Sequence, residues 1–154
     1  MAENTNRSRR LWLRGIALLG PGLLLWSRSA SAADGAIEQP SEAGEAAFID
    51  RAFAMRRLAL NEGDQGYGAV VVRDGVIVGQ SQSRVVTRGD PTAHAEMEAI
   101  RDAATRLGSR NLAGCTMYSS SHPCPMCESA AYWANIERMI WGQDRRDAGA
   151  PGLC

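Results

Sequence analysis

Two short motifs hold the residues of this chain best suited to chemistry: His94-Ala95-Glu96 and, 27 residues after Glu96, Pro123-Cys124-Pro125-Met126-Cys127. One imidazole and two soft sulfurs select zinc over hard cations, although iron and copper accept the same donor types. Three protein ligands leave a fourth position for water, as a catalytic zinc site requires, and a carboxylate kept off the metal is then free to move protons. His94, Cys124 and Cys127 are the candidate ligands and Glu96 the candidate proton carrier. The chain has only two His and four Cys, so few accidental arrangements would give both halves in this order.

The elements that must position these residues follow from periodicity and punctuation. From Glu42 to Asn61, Ala46, Phe48, Ile49, Phe53, Met55, Leu58 and Leu60 recur at three-to-four-residue spacing, which predicts an amphipathic helix stopped by Gly63. Gly68–Arg73 and Val76–Gln80 are β-rich runs joined by Asp74-Gly75, a two-residue hairpin signal. Asp90-Pro91-Thr92 ahead of Ala93–Leu107, with Gly108 as a stop, predicts a helix with His94 in its first turn. Cys115–Ser119 reads as a strand, Pro123–Ala134 as a helix and Arg138–Trp141 as a last strand. This order implies an α/β domain whose sheet lies between helical layers.

Cys124 and Cys127 are three residues apart, so at a helix start both sulfurs face one way, where the dipole favours thiolate. Glu96 lies about 200° from His94 around an ideal helix, so both serve one site only where the helix ends. Two helix N-termini are therefore expected to converge on the metal. Glu98 is the alternative carboxylate for the proton-carrying role, read in preference as a solvated helix residue paired with Arg101 or with the neighbours of Asp102. A closed zinc staple is the non-catalytic alternative; it needs Cys115, Cys154 or His122 as fourth ligand. Cys115 reads as a buried strand residue, and Cys154 as a free thiol or its disulfide partner. His122 either lines the pocket or is an ordinary loop histidine. Tyr132, Trp133 and Trp141 alternate with apolar residues and read as core.

At the N-terminus, Ser8-Arg9-Arg10 precedes an apolar stretch and the small-residue sequence Ala30-Ser31-Ala32, the pattern of a cleaved export signal of twin-arginine type. The uncharged run Gly15–Ser27 has 13 residues and is broken by Gly20-Pro21-Gly22, short of the roughly 20 needed to span a bilayer. The expected organisation is a signal peptide over 1–32, a linker over 33–44 and one zinc-dependent domain over 45–154, exported to the periplasm. Residues 1–32 contain five Arg and one Glu, so the remainder carries 12 Arg, no Lys and 16 acidic residues, a net charge of about −4. On that balance nucleic acid is not expected as a partner, nor is a membrane once the signal is removed.

With Gly66-Tyr67-Gly68-Ala69-Val70-Val71-Val72, Asp90-Pro91-Thr92-Ala93-His94-Ala95-Glu96, the Pro123–Cys127 motif and Ala131-Tyr132-Trp133-Ala134, the chain resembles the cytidine and deoxycytidylate deaminase-like superfamily. Within it, the similarity is to the guanine deaminase and tRNA adenosine deaminase branch. The resemblance implies a three-layer α-β-α fold with a mixed central sheet, here short at its C-terminus. It implies hydrolytic deamination at one zinc ion per subunit completed by a water, usually in a homodimer, with His94, Cys124 and Cys127 as ligands and Glu96 as proton shuttle. Ser83, Ala95, Pro123 and His122 are the positions expected to meet substrate. Purine-acting relatives carry an Asn where this chain has Ser83, and a hydroxyl cannot make the same two-point amide contact. The chain also ends 27 residues after Cys127, whereas relatives carry a further strand and helices. The expected substrate is a small amino-substituted heterocycle, guanine first, with tRNA adenosine or cytosine and cytidine as alternatives. A zinc-stapled ligand-binding module is the alternative without catalysis.

Overall fold

The computed structural model describes residues 35–143, 146–147 and 151. The elements run α1 (Glu45–Asn61), β1 (Gly68–Arg73), β2 (Val76–Gln82), α2 (Val85–Arg88), α3 (Ala95–Leu107), β3 (Cys115–Ser119), α4 (Pro125–Trp133), β4 (Arg138–Trp141) and β5 (Arg146–Asp147). The sheet has the order β2-β1-β3-β4-β5. β1 pairs antiparallel with β2 and β3, β3 pairs parallel with β4, and β4 pairs antiparallel with β5. The sheet is therefore mixed, with helices on both faces, as the sequence order implies. Because β2 and β3 run in the same direction, α3 and α4, which follow them, both start beyond the same edge of the sheet. In α/β folds that edge is where ligands are met.

Gly68 to Val72 are buried without interruption, as a central strand covered on both faces requires. Alternation divides the strand between two cores. Ala69 and Val71 face a layer containing Ala95, Ala99 and Ala103 of α3 and Ala131 of α4, whereas Val70 and Val72 face Phe48 and Ile49 of α1. The hairpin expected at Asp74-Gly75 is present, with φ of +50° and +76° at the two turn residues, the left-handed pair that a type I′ turn needs. β2 runs to Gln82, two residues further than its composition indicates.

Two close approaches set the helices on the sheet. A Cβ on Gly68 would stand 2.2 Å from the Ala52 carbonyl oxygen, and one on Gly79 would stand 2.6 Å from the Ala103 amide nitrogen. α1 and α3 thus ride directly on backbone, and their buried stripes are small where they do so. This shifts the face of α1: Phe48, Ile49, Ala52, Met55 and Ala59 are buried, while Leu58 and Leu60, expected inside, are 37% and 56% exposed.

Three expectations about boundaries change. α3 begins at Ala95, two residues later than expected, because Asp90 closes a turn instead of capping the helix: Oδ1 accepts from Thr92 N and Thr92 Oγ1, both at 2.7 Å. α4 begins at Pro125. Residues read as linker lie against the sheet edge, where Gln39 exchanges two hydrogen bonds with the Ile77 backbone, at 2.9 and 2.8 Å. The expected signal peptide lies outside the described residues, and no helix among the described residues is long and apolar enough to cross a membrane.

Gly79→Val is expected to lower stability by about 1–3 kcal/mol through overpacking against α3. Val76→Thr, at a position 48% exposed on the same strand, is expected to change little. Urea unfolding of the two variants checks this; equal effects would contradict the close approach.

Candidate active site

α3 and α4 both start on residues that are not themselves helical. His94 precedes α3 with φ −62° and ψ 153°, and Cys124 precedes α4 with φ −80° and ψ 165°. Each carbonyl accepts its helix's first hydrogen bond, from Glu98 N and Glu128 N, both at 3.0 Å. The extended backbone frees these side chains from the helical period, so His94 and Glu96 reach one site although an ideal helix would set them on opposite faces. His94 is thus the cap and not a member of the first turn. Pro125 takes the first helical position of α4, where its missing N–H costs no hydrogen bond.

These two helix starts bring three donors together. Cys124 Sγ and Cys127 Sγ are 3.6 Å apart, and each lies 3.7 Å from His94 Nδ1. Tetrahedral zinc with sulfur at about 2.3 Å and nitrogen at about 2.0–2.1 Å needs donors about 3.6–3.8 Å from one another. The donor set and its spacing fit that ion. Cys127 is fully buried, while His94 and Cys124 are half-buried, so the cluster opens on their side. Burial pushes the Cys127 thiol up, and Glu96 and Cys124 add to the shift. A bound metal ion reverses this by taking the proton's place.

Glu96, in the first turn of α3, is 6% exposed, with Oε2 3.7 Å from Cys127 Sγ. Burial raises its carboxyl above the ordinary range, opposed by its own backbone N–H, by His94 and by Cys127. It stands beside the donor triangle without belonging to it. Glu98 is buried, not solvated as expected; it pairs with Arg101, as expected, and also with Arg88.

Neither Cys115 nor His122 joins the donor cluster. Cys115 lies in the core on the α3 side, where burial pushes its thiol up; Cys154, and with it the disulfide considered from sequence, lies outside the described residues. The exposed His122 ring stands edge-on to Trp141 with centroids 4.9 Å apart, and its Nδ1 is 2.7 Å from the Pro123 carbonyl. Pro123 itself is buried, and Ala95 packs in the core. Tyr132 and Trp133 are 43% and 69% exposed and touch each other edge-on. They were expected in the core, but α4 buries only Cys127 and Ala131.

The family described as "cytidine and deoxycytidylate deaminase zinc-binding region" matches residues 43–143. The chain belongs to this family. A guanine deaminase of Bacillus subtilis is 42% identical over 107 residues, 69% of this chain and 69% of that protein. The X-ray structure of a guanine deaminase from that organism aligns with a TM-score of 0.60 at 43% identity, over 62% of this chain and 61% of the solved one. A tRNA-specific adenosine deaminase of Aquifex aeolicus is 36% identical over 69% of this chain and 71% of that protein. The chain therefore spans about three-fifths of the solved relative and about seven-tenths of the other two. It is a deaminase-type hydrolase with one zinc ion per subunit, related to guanine and tRNA adenosine deaminases.

The exclusion of nucleic acid as a partner does not stand. Besides the Aquifex relative, a tRNA(Ile)-lysidine synthase of Deinococcus deserti is 34% identical over 90% of this chain, which covers 26% of that protein, and other relatives also bear tRNA-acting names. Net charge sums the whole deaminase chain, whereas a phosphate backbone meets one face. Here Arg51, Arg84, Arg88, Arg101 and Arg106 line a single groove.

Sequence reading missed Asp64 and the short α2. Ser83 Oγ at 2.8 Å and Gln65 N at 2.7 Å donate to Asp64 Oδ1. Val86 N, Thr87 N and Thr87 Oγ1 donate to Oδ2 at 3.0, 2.8 and 2.9 Å. The carboxylate thus caps a helix more than 20 residues away, and α2 has no side-chain cap of its own. Gly89-Asp90-Pro91 was the one local signal that an element ends there. Arg84 N donates to the Ala93 carbonyl at 2.9 Å, so the segment Asp64 holds closes beside His94. Ser83, expected at the substrate, is fully buried, with its hydroxyl committed to Asp64.

Burial pushes Asp64 up, but the hydrogen bonds from Thr87, Ser83 and Gln65 outweigh it and hold the carboxyl far below its usual range. A depressed folded-state pKa stabilises above the unfolded value of about 3.9, and that stabilisation fades as pH falls below it. Asp64→Asn is expected to cost about 1–3 kcal/mol at pH 7, with the difference from wild type narrowing below about pH 4. Urea unfolding across pH checks this; a gap that widens in acid would contradict it.

Proposed function

We propose that this deaminase replaces the exocyclic amino group of a small nucleobase-like heterocycle by oxygen, releasing ammonia, with guanine the favoured substrate. Glu96 carries the reading. A buried carboxyl 3.7 Å from Cys127 Sγ serves no closed zinc staple, and a proton carrier beside a metal is what hydrolytic deamination needs. His94, Cys124 and Cys127 would hold the zinc, which supplies Lewis acidity and makes water a competent nucleophile near neutral pH. Glu96 accepts one proton of the attacking water and passes it to the ring nitrogen, then takes the remaining proton of the new hydroxyl and delivers it to the amine as the carbon–nitrogen bond breaks, leaving a carbonyl and ammonia. Its burial suits both halves of the task, because a carboxyl in a dry site gives up and regains a proton more evenly than an exposed one. The N-termini of α3 and α4 add fixed partial positive charge facing the same point.

The 42% identity to a guanine deaminase supports guanine. Adenosine in tRNA is the second reading, supported by the 36% identity to a tRNA-specific adenosine deaminase. Ser83 weakens both equally, because its hydroxyl is already spent on Asp64.

The test is ammonia release by the zinc-loaded protein from guanine, adenine, cytosine, their nucleosides and an anticodon stem-loop RNA. Release is expected from one member and is expected to fall by about 10²-fold or more in Glu96→Ala with zinc retained. Silence across the panel from protein holding one zinc would contradict the enzyme and favour a ligand-binding module.

A further inference from the structure

The side of α3 turned away from Glu96 carries charges that deamination does not use. Glu98 follows Glu96 by about 200° around the helix, and its side chain is 8% exposed. Its Oε2 accepts from Arg88 Nη1 and its Oε1 from Arg101 Nη1. Both arginine side chains remain open to solvent, at 44% and 48% exposure. One buried carboxylate therefore holds two guanidiniums and leaves their outer N–H groups without another hydrogen bond among the described residues.

These residues line an open groove of about 550 Å³ along β2, between α1 and α3. Arg84, in the same groove, is half-buried and has no ion pair among the described residues. The other two arginines there are engaged: Arg106 with Asp102 at 2.9 Å and the Gly35 carbonyl at 2.8 Å, and Arg51 with Glu38 and Gln80, both at 2.8 Å. Counting Glu62, Glu98 and Asp102, the lining holds five cations against three anions. Outside the lining, Glu38 offsets Arg51 and the Asp90 carboxylate lies near enough to Arg88 and Arg101 to feel their charge, so the lining cation left without an acidic partner among the described residues is Arg84. Burying Glu98 costs desolvation that an exposed i,i+3 pair would avoid, and what it secures is orientation. A guanidinium with a fixed plane and free outer N–H groups matches tetrahedral oxyanions, which it can grip by two parallel hydrogen bonds.

We propose that Arg88 and Arg101, oriented by Glu98 and joined by Arg84, form a binding site for a phosphate ester group, separate from the donor cluster at His94. The phosphate belongs either to a small monoester or to a polynucleotide backbone, and the two sources are separable.

Binding to the zinc-loaded full chain would be measured at low salt with two probes: inorganic phosphate by calorimetry, and an end-labelled abasic oligonucleotide by fluorescence anisotropy. The second probe has no base to enter the metal site. Saturable binding of either is expected, with affinity reduced about tenfold or more in Arg84→Gln/Arg88→Gln, which leaves Arg101 to keep Glu98 paired. Binding of both probes or of phosphate alone identifies a monoester-sized site, and binding of the oligonucleotide alone identifies a backbone site. Glu98→Gln decides between orientation and charge. It removes a negative charge yet is expected to weaken binding, because the guanidiniums lose their anchor. Tighter binding in Glu98→Gln, affinity unchanged in the double variant, or no saturable binding of either probe would overturn the proposal. Should Glu98→Gln fail to fold, the double variant decides alone.

Discussion

A zinc ion accepts its donors only within a few tenths of an ångström, and most of this structure serves that tolerance. Three atoms from two helix starts stand 3.6 to 3.7 Å apart, so the starting points of α3 and α4 have to be fixed against one sheet. α3 is fixed by contact with backbone: Ala95, Ala99 and Ala103 form its fully buried stripe, and Gly79 of β2 gives Ala103 room to approach. α4 is set by the parallel crossover from β3 to β4 and by Ala131 packing in the same core. A bulkier residue on either stripe would move a ligand by more than the metal tolerates. The small side chains in this core are thus as much a requirement of the site as the ligands themselves.

Burial then sets the electrostatics. Cys127 and Glu96 are both driven toward their neutral forms by desolvation, which is unfavourable for a thiolate ligand unless the ion is present. Much of the free energy of assembling this corner of the fold is accordingly coupled to metal binding. On the other side of α3 the same cost is met differently, with Glu98 placed between two arginines. One helix therefore presents a buried carboxyl beside the donor cluster on one face and a carboxylate that organises cations on the other.

The donor cluster, the hairpin, β3, β4 and the end of α3 at Gly108 were legible in the sequence, because each depends on neighbours within a few residues. Other features depended on partners far along the chain. The face of α1 followed Ala52 crossing Gly68, which no periodicity of large apolar residues reveals. His94 moved from the first turn to the cap because Asp90 was drawn into a local turn with Thr92. Asp64 organises residues 83–87 from some 20 positions upstream, and nothing in its own surroundings marks it. Summed charge misled for a similar reason: it carried no record of where the arginines gather.

Zinc K-edge X-ray absorption on the purified, metal-loaded protein tests the central claim most directly. The account predicts one zinc per chain with two sulfur scatterers at about 2.3 Å and two nitrogen or oxygen scatterers at about 2.0–2.1 Å, one of them exchangeable. Replacing Cys127 by Ser should remove one sulfur or abolish binding. Three sulfurs, or a fourth protein ligand that closes the coordination sphere, would contradict a catalytic centre at these two helix starts.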